Sequence, residues 1–141
     1  YHELDISDEK EEYDCVTCIE TLEHIPDELL EGVICNLFRC VRAGGKVIIS
    51  VPTINRPRSG KHFRHYSADV LLEELNSSQV RYQVESIEYI WKVNALKKYF
   101  RITDNRFLYL RFRALDNFLT KVNAKADEKS GAHMIVVLNK C

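Results

Sequence analysis

The sequence contains no long hydrophobic run: its longest apolar stretches, Val47-Ile48-Ile49 and Met134-Ile135-Val136-Val137-Leu138, fall far short of the roughly 20 residues a membrane-spanning helix requires. No transmembrane segment is expected. The first residues, Tyr1-His2-Glu3-Leu4-Asp5-Ile6, offer neither a basic stretch followed by an apolar one nor a basic amphipathic presequence, so no leader is expected. Five cysteines cannot all pair within one chain, and their spacing is not that of a secreted disulfide framework. A reducing, cytoplasmic setting is the expectation. Cys15-x-x-Cys18 finds no second such pair in Cys35 and Cys40. It also falls in a predicted strand, where residues three apart face opposite ways, which argues against a redox pair or zinc site and leaves all five cysteines as packing residues. Repeats and low-complexity tracts are absent as well.

What is present suffices for one core. The 141 residues are 45% hydrophobic and 29% charged, the composition of a single globular domain spanning residues 1–141. The net charge of -1 conceals an asymmetry: the start, from Glu3 to Glu31, is almost wholly acidic, whereas Lys97, Lys98, Arg101, Arg106, Arg111, Arg113, Lys121 and Lys125 gather later. Such a basic segment is either a solvated helix face or a surface for an anionic partner.

Apolar periodicity predicts an alternation of strands and helices. Val16 to Ile19 reads as a buried strand, and a helix follows from Asp27 to Val41 with Leu30, Ile34, Leu37, Phe38 and Val41 on one stripe. Gly44-Gly45 is placed to end that helix, and Lys46 to Pro52 reads as a second buried strand stopped by proline. A Pro-, Arg-, Asn- and Gly-containing loop runs through residues 53–66, after which Ser67 caps a helix carrying Leu71, Leu72 and Leu75. Val80, Tyr82 and Val84 alternate as a strand, a helical stretch is predicted over residues 93–122, and His133 to Leu138 forms the last strand. The order implies an α/β fold built on an open sheet with helices on both faces, in which ligands sit beyond the carboxyl ends of the strands. The segments after Ile19 and after Val51 are therefore the candidate site.

The first of these segments holds Glu20-x-x-Glu23-His24. In a helical turn, positions i, i+3 and i+4 share a face, which would join two carboxylates and an imidazole. Mixed oxygen and nitrogen donors suit magnesium, manganese, iron or zinc. The second segment brings His62 and His65, and either of them or His24 is alternatively a general base, because imidazole titrates near neutrality. Arg56, Arg58, Lys61 and Arg64 make that loop cationic, suited to an acceptor with phosphate or carboxylate groups.

The blocks Tyr13-Asp-Cys-Val-Thr-Cys-Ile-Glu-Thr-Leu-Glu-His-Ile-Pro26 and Val41-Arg-Ala-Gly-Gly-Lys-Val-Ile-Ile-Ser-Val-Pro52, with His62-Phe-Arg-His-Tyr-Ser67 before a helix, together resemble the central part of class I S-adenosylmethionine-dependent methyltransferases. The resemblance implies a Rossmann-like fold of sheet order three-two-one-four-five-seven-six, mostly parallel with an antiparallel last strand. Here it would be truncated at the N-terminus to the third strand onward, with a helical insertion near residues 93–122. Glu3-Leu-Asp-Ile-Ser resembles the end of the third strand, so the glycine-rich cofactor loop would lie before Tyr1. The strand at Cys15 to Ile19 would then expose an edge open to self-association.

By the same resemblance the cofactor is S-adenosylmethionine, with Asp5 and Ile6 beside the adenine and Cys18, Ile19 and Glu20 near the methionine moiety. Glu20, Glu23, His24 and His62 are similar to the divalent-metal motif of ubiquinone-pathway O-methyltransferases and small-RNA 2'-O-methyltransferases, which points to magnesium or manganese. Many relatives carry Glu-His here without a metal, where it serves packing and acceptor positioning. The implied reaction is methyl transfer to an oxygen of a small-molecule, sugar or lipid-linked acceptor. The alternatives are RNA as acceptor and a noncatalytic remnant that binds a partner.

Overall fold

The computed structural model describes residues 12–58, 60–92, 104–105, 108–109, 117–118, 121 and 123–141. Strand β1 (Tyr13–Ile19) leads through a 3-10 turn (Leu22–His24) into helix α1 (Asp27–Arg39), and β2 (Val41–Pro52) leads through a loop into α2 (Ala68–Ser77). The long strand β3 (Tyr82–Lys92) follows, then the short β4 (Asp104–Asn105), β5 (Leu108–Tyr109) and β6 (Lys125–Ala126), and finally β7 (Gly131–Lys140). The predicted helical stretch at residues 93–122 lies largely outside the described residues, as do Asp5 and Ile6, but it is corrected at Asp104–Asn105 and Leu108–Tyr109, which pair as antiparallel strands and not as helix.

The main sheet has the order β1-β2-β7-β3-β6, and β4 pairs with β5 separately. This is the α/β architecture expected, with one correction: β1 pairs with β2 in parallel, but β2–β7, β7–β3 and β3–β6 are all antiparallel. The reason is placement. β1, β2 and β3 run the same way, the reversed β7 lies between β2 and β3 as the resemblance implies, and β6 is reversed on the outer side of β3, so within this chain the antiparallel pairings outnumber the parallel one.

The core forms on one face. Val47, Ile49 and Val51 of β2 stand opposite Leu138, Val136 and Met134 of β7, and all six are completely buried. Against them pack Leu30, Ile34, Leu37 and Phe38 of α1 and Leu71 and Leu75 of α2. Among the described residues both helices thus join one core on one face, whereas Ile48, Ile135 and Val137 on the other face are only half-buried. Ser67 caps α2 as expected, its hydroxyl oxygen accepting from the Val70 N–H at 3.3 Å. No helix among the described residues is long and apolar enough to cross a membrane.

Helix α1 stops at Arg39, earlier than its apolar stripe suggests, because Val41 is taken into the sheet as the partner of Tyr13. Cys15 then pairs with Lys46, so the residues between Val41 and Lys46 bulge, and Gly44 turns that bulge at φ 73°. The glycines therefore shape a strand entry instead of a helix end. A Cβ on Gly45 would lie 2.8 Å from the Asp14 carbonyl oxygen and 2.6 Å from Val41 Cγ1. Backbone cannot yield cheaply, so Gly45→Ala should cost about 1–3 kcal/mol of stability, as overpacking does. Thermal melting followed by circular dichroism measures it, and an unchanged midpoint would show that β1 shifts freely.

Of the five cysteines, all free, Cys18 and Cys40 are buried and Cys15, Cys35 and Cys141 are exposed. Only two are packing residues, which corrects the expectation. Cys15 and Cys18 do lie on opposite faces of β1.

Candidate active site

Two loops meet at the carboxyl ends of β1 and β2. Leaving β1, the chain turns at Glu20, whose φ is 48° and whose N–H donates to the Ser50 carbonyl at 2.9 Å. The Thr21 hydroxyl donates to the Ile19 carbonyl at 2.9 Å. The Leu22–His24 turn closes with His24 N–H on Thr21 O at 2.9 Å and Ile25 N–H on Leu22 O at 3.2 Å, and Pro26 then stands at the N-cap of α1. Helical packing of the Glu23-His24 pair is thereby realised, but Glu20 sits before the turn, not on it.

The second loop leaves β2 and returns: Tyr66 N–H donates to Pro52 O at 2.9 Å and Ile54 N–H to Tyr66 O at 3.0 Å. Its far part lies on the first loop. Phe63 N–H donates to Glu23 O at 2.8 Å. Arg64 Nη1 donates to the carbonyls of Leu22 at 3.2 Å and Ile25 at 2.9 Å, and its Nη2 pairs with the Asp27 carboxylate.

This docking joins Glu23, His24 and His62, whose candidate donor atoms all lie within 4.8 Å of one another. Glu23 is 1% exposed, and its Oε2 has no hydrogen-bond partner among the described residues. Burial pushes its carboxyl above the usual range, with the Glu20 charge adding to that and its own backbone, His24 and His62 opposing. A buried carboxylate oxygen without a donor is what a cation would satisfy.

The hydrogen bonds around the three histidines also set their tautomers. His24 Nδ1 donates to the Lys61 carbonyl at 3.0 Å, which leaves its lone pair on Nε2. His65 Nδ1 lies 3.2 Å from the Arg56 carbonyl and must donate to it, so the lone pair of neutral His65 is on Nε2. Burial disfavours the charged form of that ring and lowers its pKa. His62 Nδ1, 2.8 Å from His65 Nε2, is consequently the donor, and the His62 lone pair is also on Nε2. The rings of His24 and His62 meet edge to face with centroids 4.6 Å apart. His24 Nε2 lies 3.8 Å from Glu23 Oε1, and each of the two imidazoles clustered with Glu23 is held by an outer partner, as metal-binding histidines are.

Glu20 lies outside this cluster. Its Oε1 accepts from the Ser50 hydroxyl at 2.8 Å and its Oε2 from His133 Nδ1 at 2.9 Å. His133 Nε2 in turn lies 2.7 Å from Arg56 Nη1. Sequence reasoning did not find His133: it sits in an ordinary alternating strand, and no local spacing links it to Glu20. Of the remaining expected cofactor residues, Cys18 is buried, with burial pushing its thiol up to about 11, so it is a neutral packing group. Ile19 is 54% exposed at the strand end, an apolar surface open to a ligand.

Residues 1–97 match a methyltransferase-domain family. A stretch of 65 residues is 43% identical to a ubiquinone biosynthesis O-methyltransferase of Pseudomonas savastanoi pv. phaseolicola, covering 46% of this chain and 26% of that protein. A stretch of 46 residues is 50% identical to the protein of the same description in Pseudomonas entomophila, covering 33% of this chain and 18% of that one. These matches span about a quarter or less of the curated relatives' length. Among solved structures the chain resembles a SAM-dependent methyltransferase from Archaeoglobus fulgidus, with TM-score 0.57 and 14% identity over 92% of this chain and 60% of that one. It also resembles an N-methyltransferase from Bradyrhizobium japonicum in complex with S-adenosyl-L-homocysteine, with TM-score 0.54 and 11% identity over 97% and 52% of the two chains.

Proposed function

This chain belongs to the family of methyltransferase domains, and from that membership we propose that it serves methyl transfer from S-adenosylmethionine to an oxygen of a small-molecule acceptor, with Glu23, His24 and His62 holding a divalent cation, magnesium or manganese. The observation that supports the reading is the clustering of ligand atoms of Glu23, His24 and His62 within 4.8 Å of one another, with one oxygen of the buried Glu23 lacking a hydrogen-bond partner among the described residues. Oxygen is favoured over nitrogen as the acceptor atom because the relatives sharing 43% identity over 65 residues are described as O-methyltransferases.

A methyl leaving a sulfonium moves by in-line displacement, so the chain's part is to position the acceptor and handle its proton. A cation held by Glu23, His24 and His62 would supply Lewis acidity toward the acceptor hydroxyl. Ile19 presents an apolar side chain beside the donor, and the backbone of Cys18, Ile19 and Glu20 borders its methionine end. Asp5 and Ile6 are the proposed adenine contacts. His65 acts on His62, fixing its tautomer.

Calorimetric titration with S-adenosylhomocysteine, with and without manganese, tests both halves of the reading. One manganese per chain and cofactor binding that strengthens with the metal is the expected result. A folded sample that takes up S-adenosylhomocysteine but no manganese removes the metal, and one that binds neither removes the methyl-transfer assignment for this chain.

A further inference from the structure

The Glu20–His133–Arg56 chain of contacts fixes the protonation of His133 by donor logic alone. Arginine has N–H donors and no acceptor. Its Nη1, 2.7 Å from His133 Nε2, therefore requires a lone pair on Nε2, so the imidazole is neutral with its proton on Nδ1. That proton is donated to Glu20 Oε2 at 2.9 Å. The other Glu20 oxygen is held by the Ser50 hydroxyl at 2.8 Å, and the Glu20 N–H by the Ser50 carbonyl at 2.9 Å. A carboxylate anchored to β1 and β2 thus orients a histidine on β7, the arrangement that prepares an imidazole to take up a proton.

The place suits the task. β7 is reversed relative to its neighbours, so His133, opposite Pro52 of β2, stands near the carboxyl ends of β1 and β2, the ligand side of such a sheet. Its side chain is 23% exposed and that of Glu20 34%, so the group is reachable. The lone pair of His65 is already taken by His62, and His24 and His62 belong to the cluster with Glu23. His133 Nε2 is covered by an arginine from the loop after β2.

We infer that His133 is the catalytic residue that receives the acceptor's proton, that Glu20 is its positioning residue, and that the acceptor hydroxyl replaces Arg56 at Nε2. This rests on the methyl-transfer reading above. As the acceptor oxygen forms its bond to the methyl carbon, its O–H bond breaks toward Nε2. The methyl–sulfur bond of the sulfonium donor breaks with its electron pair going to sulfur, which leaves a neutral thioether. The imidazolium is balanced by Glu20 until it releases the proton to water.

The test needs no donor: long-range proton–nitrogen spectra of the histidine rings in the nitrogen-15-labelled chain, with phenol as the probe of a hydroxyl acceptor. His133 should show a neutral ring with the proton on Nδ1, and Glu20→Gln should turn this into a mixture of tautomers without loss of fold. Phenol should shift the Nε2 resonance, and more strongly in Arg56→Ala. A proton on Nε2 in the unaltered chain overturns the inference. So does an Nε2 resonance that phenol leaves unmoved, whichever other histidine responds. Failure of S-adenosylhomocysteine to bind would instead strike the methyl-transfer reading and leave these spectra as they are. In active enzyme, His133→Gln should lower kcat by about 10²- to 10⁴-fold, the usual weight of a general base, with the donor KM unchanged. An unchanged kcat overturns the inference.

Discussion

Manganese should bind the His62→Ala chain at least about 100-fold more weakly than the unaltered chain and the His65→Ala chain about 10- to 100-fold more weakly, the latter being the usual effect of losing an outer partner of a metal ligand. Glu20→Ala should leave the affinity little changed. The ranking follows from geometry: His62 belongs to the cluster with Glu23 and His24, His65 only fixes which His62 nitrogen carries the lone pair, and both Glu20 oxygens are engaged by Ser50 and His133. A Glu20→Ala loss as large as that of His62→Ala would instead place Glu20 in the ligand set. Glu23→Gln adds a contrast of sign. Without metal it should stabilise the fold by about 1 kcal/mol, because it removes a buried carboxylate whose desolvation its own backbone and the two histidines offset only in part. With manganese at about 100 times its Kd, the unaltered chain gains about 2.7 kcal/mol and the variant gains nothing, so the two melting temperatures should exchange order. Melting curves with and without manganese would show it.

How far this site is legible in the sequence depends on whether its contacts are local. The Glu23-His24 pair is local, and its turn is readable because β1 ends and Pro26 stops the chain from entering α1 earlier. His62 comes from the resemblance to the divalent-metal motif, since nothing in the local spacing separates it from His65. The role of Glu20 is not, because its partners Ser50 and His133 arrive from two other strands. Spacing alone groups Glu20 with Glu23 and His24, yet the turn at Glu20, with φ 48°, sends its side chain to the sheet. The same distinction runs through the fold. The stripe on α1 and the alternation in β2 and β7 are local signals and mark the core. The alternation from Val80 to Val84 misses the length of β3, because an irregularity between Val84 and Ser86 shifts the phase: Tyr82 packs inward on one side of it, Ile87 and Tyr89 on the other. An inserted residue reverses a period-two pattern. The pairing of β7 between β2 and β3 is a long-range fact that came from the resemblance to methyltransferases, not from periodicity.

Arg64→Met should cost about 3 kcal/mol at neutral pH, the low end for breaking a largely buried ion pair from one side, and should lower the melting temperature by roughly 10 °C. Arg64 is 12% exposed and Glu74 24%, with Arg64 Nε 3.7 Å from Glu74 Oε1. Asp27, 91% exposed, adds little to the balance. Burial already raises the Glu74 carboxyl above the usual carboxylate range, and Arg64 opposes that rise. Removing Arg64 therefore raises the folded-state value further. A carboxyl whose folded pKa exceeds its unfolded one binds more protons when folded, so stability falls as pH rises through the folded value and recovers on acidification. The deficit of Arg64→Met should shrink as pH falls toward the ordinary carboxylate range, and Glu74→Gln in the same background should recover part of it at neutral pH. Manganese affinity should fall as well, since Arg64 also ties the carbonyls of Leu22 and Ile25 that frame Glu23 and His24. A deficit that is flat with pH and unmoved by Glu74→Gln would mean that Arg64 stabilises the fold through those two carbonyls, with its charge playing no part.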